Sequence, residues 1–268
     1  MHATLELARR IDRAEIDFCA VTTLSGTPDA ATLERGGGRA VYGAPGSPVN
    51  KVLGLGLGVE VSDDDLDEIE DFYAQRGCPV QIELCPLASA TLPSRLSRRG
   101  YVLQAFENEL ARPAPTEDVP GPVGADITIE AGAGEGPWLQ TVSEGFATPD
   151  RAAANVPSPS DTVIAIADVM RQFVHPDVVR YVAWVDGQAA AASLSFVSDR
   201  VLGIFGTTTL PHFRRKGLQG AIVARAMNDG RGRADLVIAT TEPGSTSQRT
   251  FERLGFQVLY TRAIMVKP

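Results

Sequence analysis

Thr207-Thr-Thr-Leu-Pro-His-Phe-Arg-Arg-Lys-Gly-Leu-Gln-Gly-Ala221 reads as a strand end, a basic turn containing glycines, and the opening of a helix. A turn of this kind is built to receive phosphate. The first N–H groups of a helix have no partner within it, and they converge with the positive end of the helix dipole. Gly217 and Gly220 let a ligand approach the backbone, while Arg214, Arg215 and Lys216 add cationic charge. The helix beyond places Leu218, Ile222, Val223, Ala226 and Met227 within half its circumference, so one face is buried while the N-terminus stays open. Taken alone, the segment also fits a solvated basic loop.

A second signal lies downstream. Leu236 to Thr241 reads as a buried strand, and Ser247-x-x-x-Phe251-Glu-Arg-Leu-Gly255-Phe256 as a helix that stops at a glycine. Arg214-x-x-Gly217-x-Gln219-Gly220 resembles the Arg/Gln-x-x-Gly-x-Gly/Ala signature with which enzymes of the GNAT superfamily hold the coenzyme A pyrophosphate. Leu210-Pro211-His-Phe-Arg214 and the Leu-Gly-Phe helix ending are similar to that family as well. The co-linear resemblance covers residues 126 to 268. One departure is that Gln219 stands at the second small position, with Gly220 directly after it.

The resemblance implies an α/β (α+β) fold, with a mixed, mostly antiparallel central sheet flanked by helices. It also implies acetyl-CoA as co-substrate, held by Thr208, Thr209, Arg214, Arg215, Lys216, Gly217, Leu218, Gln219 and Gly220, with Ser247 and Phe251 on the later helix. The strand ending at Thr209 is expected to splay from the next strand, leaving the Thr209 N–H to polarise the thioester carbonyl. Glu242 and Glu144 are the candidates for the base that takes the proton of the attacking amine, and His212 is a candidate ligand contact. Many family members protonate the leaving thiolate with a tyrosine where this chain has Phe251. The implied activity is direct transfer of an acetyl group to a primary amine of a small molecule or peptide. The alternative is a non-catalytic module that binds acyl-CoA.

Working outward, Asp126 to Glu130 alternates like a short strand, and Trp138 to Phe146 and Thr162 to Phe173 have helical patterning. Val178 to Val185 and Gln188 to Val197 flank Asp186-Gly187, a strong hairpin signal. Arg200 to Leu210 reads as a strand, Leu218 to Asn228 as a helix, Ser245 to Leu254 as a helix and Gln257 to Val266 as a last strand.

Upstream, Arg112 to Gly124 carries four prolines and two glycines, which no helix or central strand tolerates. This predicts two domains, residues 1–112 and 126–268, joined by a linker at 113–125. The first half repeats the plan of the second. Val80 to Leu84 followed by Leu96-Ser-Arg-Arg-Gly100-Tyr101 parallels Leu236 to Thr240 followed by Phe251-Glu-Arg-Leu-Gly255-Phe256, with Ile82 to Gly100 spanning 18 positions and Ile238 to Gly255 spanning 17. Asn50 to Gly58 reads as a strand and Ser62 to Gln75 as a capped acidic helix. The phosphate turn has no counterpart there. Asp63, Asp64 and Asp65 complement the helix N-terminus themselves and would repel a pyrophosphate, so the first half reads as a degenerate copy.

Composition sets the remaining bounds. A net charge of -8 argues against a nucleic-acid partner, which would require a basic field. No stretch approaches the roughly 18 apolar residues of a membrane span, so no membrane partner is expected. Cys19, Cys78 and Cys85 have neither metal-ligand spacing nor an even disulfide set, and no metal site is expected. The opening residues lack a secretory signal, which makes a cytoplasmic location the expectation. A monomer or homodimer is expected.

Overall fold

The computed structural model describes residues 1–121, 127–148, 166–173 and 175–268. Two compact units emerge, each considered by itself. Among the described residues, no helix is long and apolar enough to cross a membrane.

The first unit opens with α1 (Leu5–Gly26), whose N-terminus is closed by the Thr4 hydroxyl accepting the Leu7 N–H at 3.1 Å. β1 (Ala31–Arg35) and β2 (Gly38–Tyr42) form a hairpin, and β3 (Lys51–Leu53) pairs antiparallel with β2. Then come α2 (Asp63–Ala74), β4 (Val80–Leu84), α3 (Leu92–Arg98) and β5 (Val102–Pro113), which carries the chain into the second unit. The strand expected over residues 50–58 is only three residues long. Gly54, Gly56 and Gly58 all take left-handed φ values of 67° to 75°, a backbone that cannot continue a strand.

The second unit contains β6 (Ile127–Ala131), α4 (Glu135–Ala147), α5 (Ile166–Arg171), β7 (Val179–Val185), β8 (Gln188–Ser198) and β9 (Val201–Thr209). A 3-10 turn (Pro211–Phe213), α6 (Leu218–Asp229), β10 (Leu236–Thr241) and α7 (Thr246–Arg253) follow. Its strands run in the order β10-β9-β8-β7-β6, antiparallel except for the β9–β10 pair. Asp186 and Gly187 both take positive φ and close the β7–β8 hairpin as expected. Of the helix expected over 162–173, residues 162–165 lie outside the described residues and the rest contains α5.

The last strand, β11 (Gln257–Lys267), departs from the expected domain boundary. From Leu259 onward it belongs to the first unit, pairing antiparallel with β4 from Ala263↔Leu84 to Lys267↔Val80. The end of β5 belongs in turn to the second unit, where the Ala114 N–H donates to the Asp235 carbonyl at 2.9 Å. Each unit is thus completed by a strand from the other half of the sequence. The expected linker is also partly tied down, because the Asn228 side chain bonds both the N–H and the carbonyl of Val119; residues 122–126 lie outside the described residues.

The two interiors differ in chemistry. The second unit packs Ile204, Leu218, Ile222, Val237 and Phe256 into an apolar cluster. The first unit has such a cluster around Leu66, Ile69, Tyr73, Ile82 and Leu96, but it also buries Arg262 of β11 completely. Arg262 meets Asp12 and Glu15 at 2.5 Å, and Glu83 and Glu109 at 3.3 Å. Lys51 adds a 2.7 Å pair to Glu83. A buried guanidinium stays charged only where carboxylates replace its lost water, and this cage does so.

Candidate active site

The site is assembled at the ends of β9 and β10. These parallel strands pair over three positions, Val201↔Leu236 to Gly203↔Ile238, and no registered pair follows although both strands continue. The gap has a local cause on the other edge of β9. Opposite Ser193 of β8, β9 fits two residues, Gly206 and Thr207, into the space of one, with Gly206 at φ 58°. Side chains pin this bulge. The Ser193 hydroxyl lies 2.7 Å from the Thr207 hydroxyl and donates to the Phe205 carbonyl at 3.1 Å, while the Trp138 indole N–H donates to the Ser193 carbonyl.

Beyond the bulge the antiparallel alternation decides where Thr209 points. The Leu210 N–H donates to the Ala190 carbonyl at 2.9 Å, so that pair exchanges hydrogen bonds with β8. The Thr209–Ala191 pair must then be the non-bonded kind, which turns the Thr209 N–H toward the β10 edge, where β9 has no registered partner. Thr208 faces α4, where Gly145 packs against it; a Cβ at Gly145 would lie 2.3 Å from the Thr208 hydroxyl.

The basic turn then delivers an open helix N-terminus. Gly217 is the N-cap of α6 at φ 81°, has no side chain to close the helix, and accepts the Ala221 N–H at 3.0 Å. The N–H groups of Leu218, Gln219 and Gly220 therefore have no helical acceptor. Arg215 and Lys216 are exposed beside them, and the Lys216 ammonium sits 5.2 Å from the Phe213 ring centroid. Gln219 donates to the Ser247 hydroxyl at 2.7 Å, which ties α6 to α7 and brings together two residues chosen from sequence.

Two sequence expectations change here. Arg214, expected at the phosphate, instead turns its guanidinium inward, donating from Nε to the Thr209 carbonyl at 3.1 Å and from Nη2 to the Thr148 carbonyl. It braces the turn against the strand end. Phe251 is only 2 % exposed and packs edge-on against Phe256 at 5.0 Å, so it belongs to the core rather than the cofactor surface. Leu218 is 1 % exposed and offers a ligand only its backbone.

The proposed bases are separated by environment. Glu242 is half-buried just past β10, its carbonyl accepting the Ser245 N–H. Glu144 is exposed on α4, with its carboxylate accepting from Gln140 at 3.0 Å, next to the Gly145 that packs on Thr208. His212 is exposed in the 3-10 turn. Tyr181, the tyrosine of this unit, is 1 % exposed and pushed up to about 12 by burial, which removes it as an acid for a leaving thiolate. Sequence reading missed the Ser193–Thr207 pair and the Gly145 contact. The glycine in Ser143-Glu-Gly-Phe146 was the available signal for the latter, since a glycine within a helix marks a close approach.

No protein-family model and no curated protein sequence matches the chain. Solved structures do. A GCN5-related N-acetyltransferase from Kribbella flavida matches with a TM-score of 0.70 at 19 % identity, covering 98 % of this chain and 96 % of that one. A conserved protein of unknown function from Staphylococcus epidermidis gives 0.61 at 14 % identity over 93 % and 98 %. A tandem GNAT protein from the clavulanic acid biosynthesis pathway gives 0.59 at 14 % identity over 99 % and 96 %. The chain has the fold of the GCN5-related N-acetyltransferases over nearly its whole length.

Proposed function

We propose that the second unit is an N-acyltransferase that uses acetyl-CoA and transfers the acetyl group directly to a primary amine of a small molecule or peptide. The carrying observation is the open N-terminus of α6 beside the end of β9, which has no registered partner on β10. A row of backbone donors ending on a capless Gly217, flanked by two exposed cations, suits a pyrophosphate. Acetyl-CoA supplies the acyl group as a thioester. The Thr209 N–H, directed into the gap, supplies a donor for an oxygen that gains negative charge, and Glu242 and Glu144 are the nearby candidates to accept the amine proton. Coenzyme A leaves as the thiolate or is protonated by solvent, because Phe251 and Tyr181 are both buried. The proposed enzyme is cytoplasmic, a monomer or homodimer, with no nucleic-acid or membrane partner.

A second reading, a module that binds acyl-CoA without turnover, is favoured by the buried phenylalanine where an acid would stand. Calorimetric titration with acetyl-CoA tests the shared premise. Wild type is expected to bind, and Gly217→Glu and a double Arg215→Ala, Lys216→Ala variant to lose affinity. Absence of binding by wild type overturns both readings. Release of free thiol with any member of an amine panel then separates enzyme from module.

A further inference from the structure

We infer that the first unit holds a separate ligand site, a cavity for a small organic anion with a compact apolar body. The cavity has a volume of about 520 Å³. It is walled by α1, by the side-chain-free turn Gly36 to Gly38 between β1 and β2, and by the chain leaving β3 from Gly54 to Val59. Its volume suits a small metabolite.

Counting charges on its wall gives four arginines and four carboxylates, which looks neutral. Their ion pairs show where positive charge without a direct counter-ion lies. Asp12 is held by Arg262 at 2.5 Å and by the Gly54 N–H at 3.0 Å, and Asp65 by the Ser62 hydroxyl and N–H at 2.6 and 2.8 Å. Glu34 pairs with Arg39, Arg35 with Glu68, and Asp17 is also engaged within the chain. Two guanidiniums have no carboxylate within ion-pair distance among the described residues, Arg13 acting on Glu34 only at longer range. Among the described residues, Arg9 donates only to the neutral Leu57 carbonyl at 2.9 Å and Arg13 makes no hydrogen bond or ion pair. Spaced four residues apart on α1, they stand one turn above another on the same face, where one anion can bridge them. Below them Ile16 and Leu57, 9 % and 3 % exposed, give the cavity an apolar wall. A head group of carboxylate or phosphate and an apolar body satisfy both surfaces.

The place of the cavity in the plan agrees. In the second unit the elements corresponding to α1, the β1–β2 turn and the end of β3 are α4, the β7–β8 turn and the end of β9, with Leu210 after β9 donating to Ala190 of β8. The cavity of the first unit faces its first helix and is bounded also by Asp65 of the Ser62–Asp65 capping box. The inference does not depend on acyl transfer.

Full-length protein is titrated calorimetrically with 4-methylpentanoate and isopentyl phosphate, which distinguish the two head groups, and with acetate and 4-methylpentanamide, which lack the body or the charge. At least one of the first two is expected to bind saturably, ten-fold or more tighter than acetate and the amide. Arg13→Glu, at an exposed position, is expected to weaken it ten-fold or more, Arg13→Gln by less, and Arg98→Glu on the exposed face of α3 not at all. Acetyl-CoA binding is expected to be unchanged in Arg13→Glu, with circular dichroism reporting the fold. No saturable binding by either probe, equal affinity for the amide, or equal affinity in Arg13→Glu overturns the site.

Discussion

The two units place a strand and then a helix at the same point of their plans, and they finish the helix in opposite ways. In the first, Ser62 caps α2, Asp65 returns the hydrogen bond to the Ser62 N–H, and three aspartates fill the first turn. In the second, Gly217 leaves α6 open, with exposed cations before it. A helix N-terminus attracts negative charge in either case. What differs is whether the charge is built into the chain, and under the proposed function this small choice of residues leaves the end of α6 free for a ligand.

The strongest test of the contrast between the units lies in their interiors. Among the described residues, the fully buried charged groups Asp12, Glu15, Glu83, Glu109 and Arg262 all belong to the first unit. Arg262→Met is expected to cost roughly 3–5 kcal/mol, because it strands the surrounding carboxylates. Thermal denaturation followed by circular dichroism measures it, and a loss below about 1 kcal/mol would mean that the cage is relaxed or hydrated.

Closing α6 is the next largest effect. Gly217→Glu places a non-glycine residue at φ 81°, costing about 1–2 kcal/mol of stability, and sets a carboxylate at the proposed phosphate site. Acetyl-CoA affinity is expected to fall about 100-fold, roughly 2.7 kcal/mol. If affinity survives, the open helix end is not the phosphate site and the contrast has no functional content.

Opening α2 gives the reciprocal test. Ser62→Ala is expected to lower stability by about 1 kcal/mol in urea denaturation and to leave acetyl-CoA affinity untouched. An effect on affinity would mean that the first unit shares in that binding.

The smallest effect is titration. Burial, reinforced by the Glu83 charge, pushes Glu107 up to about 7, and burial raises Asp12, Glu15 and Glu109 as well. A carboxyl raised in the folded state favours folding most while it is protonated, below its unfolded value near 4.5, and loses that contribution as pH rises through its folded value. The melting temperature is thus expected to fall between pH 5 and pH 8, and Glu107→Gln to flatten part of the fall. A rise over that range would contradict the burial assigned to these groups.

Much of this was legible in the sequence where local rules decide. The Asp186-Gly187 turn, the Ser62 cap, the Leu236–Thr241 strand and the open Gly217 turn all follow from interactions spanning a few residues. Their physics is complete within one turn or one hairpin. Sequence likewise carried the resemblance to the GNAT superfamily, through the residues of the Arg214-x-x-Gly217-x-Gln219-Gly220 turn and the Leu254-Gly255-Phe256 helix ending.

Only the tertiary structure decided the rest. Residues from Leu259 joined the first unit, Arg214 turned to the Thr209 and Thr148 carbonyls, Phe251 entered the core, and Arg262 gathered carboxylates from Asp12, Glu15, Glu83 and Glu109. Each of these outcomes depends on partners far away along the chain, up to 250 residues for Arg262 and Asp12. A side chain's type states what it can bond to, but which partner it meets is set by strand pairing and by the cost of leaving a buried polar group unmatched.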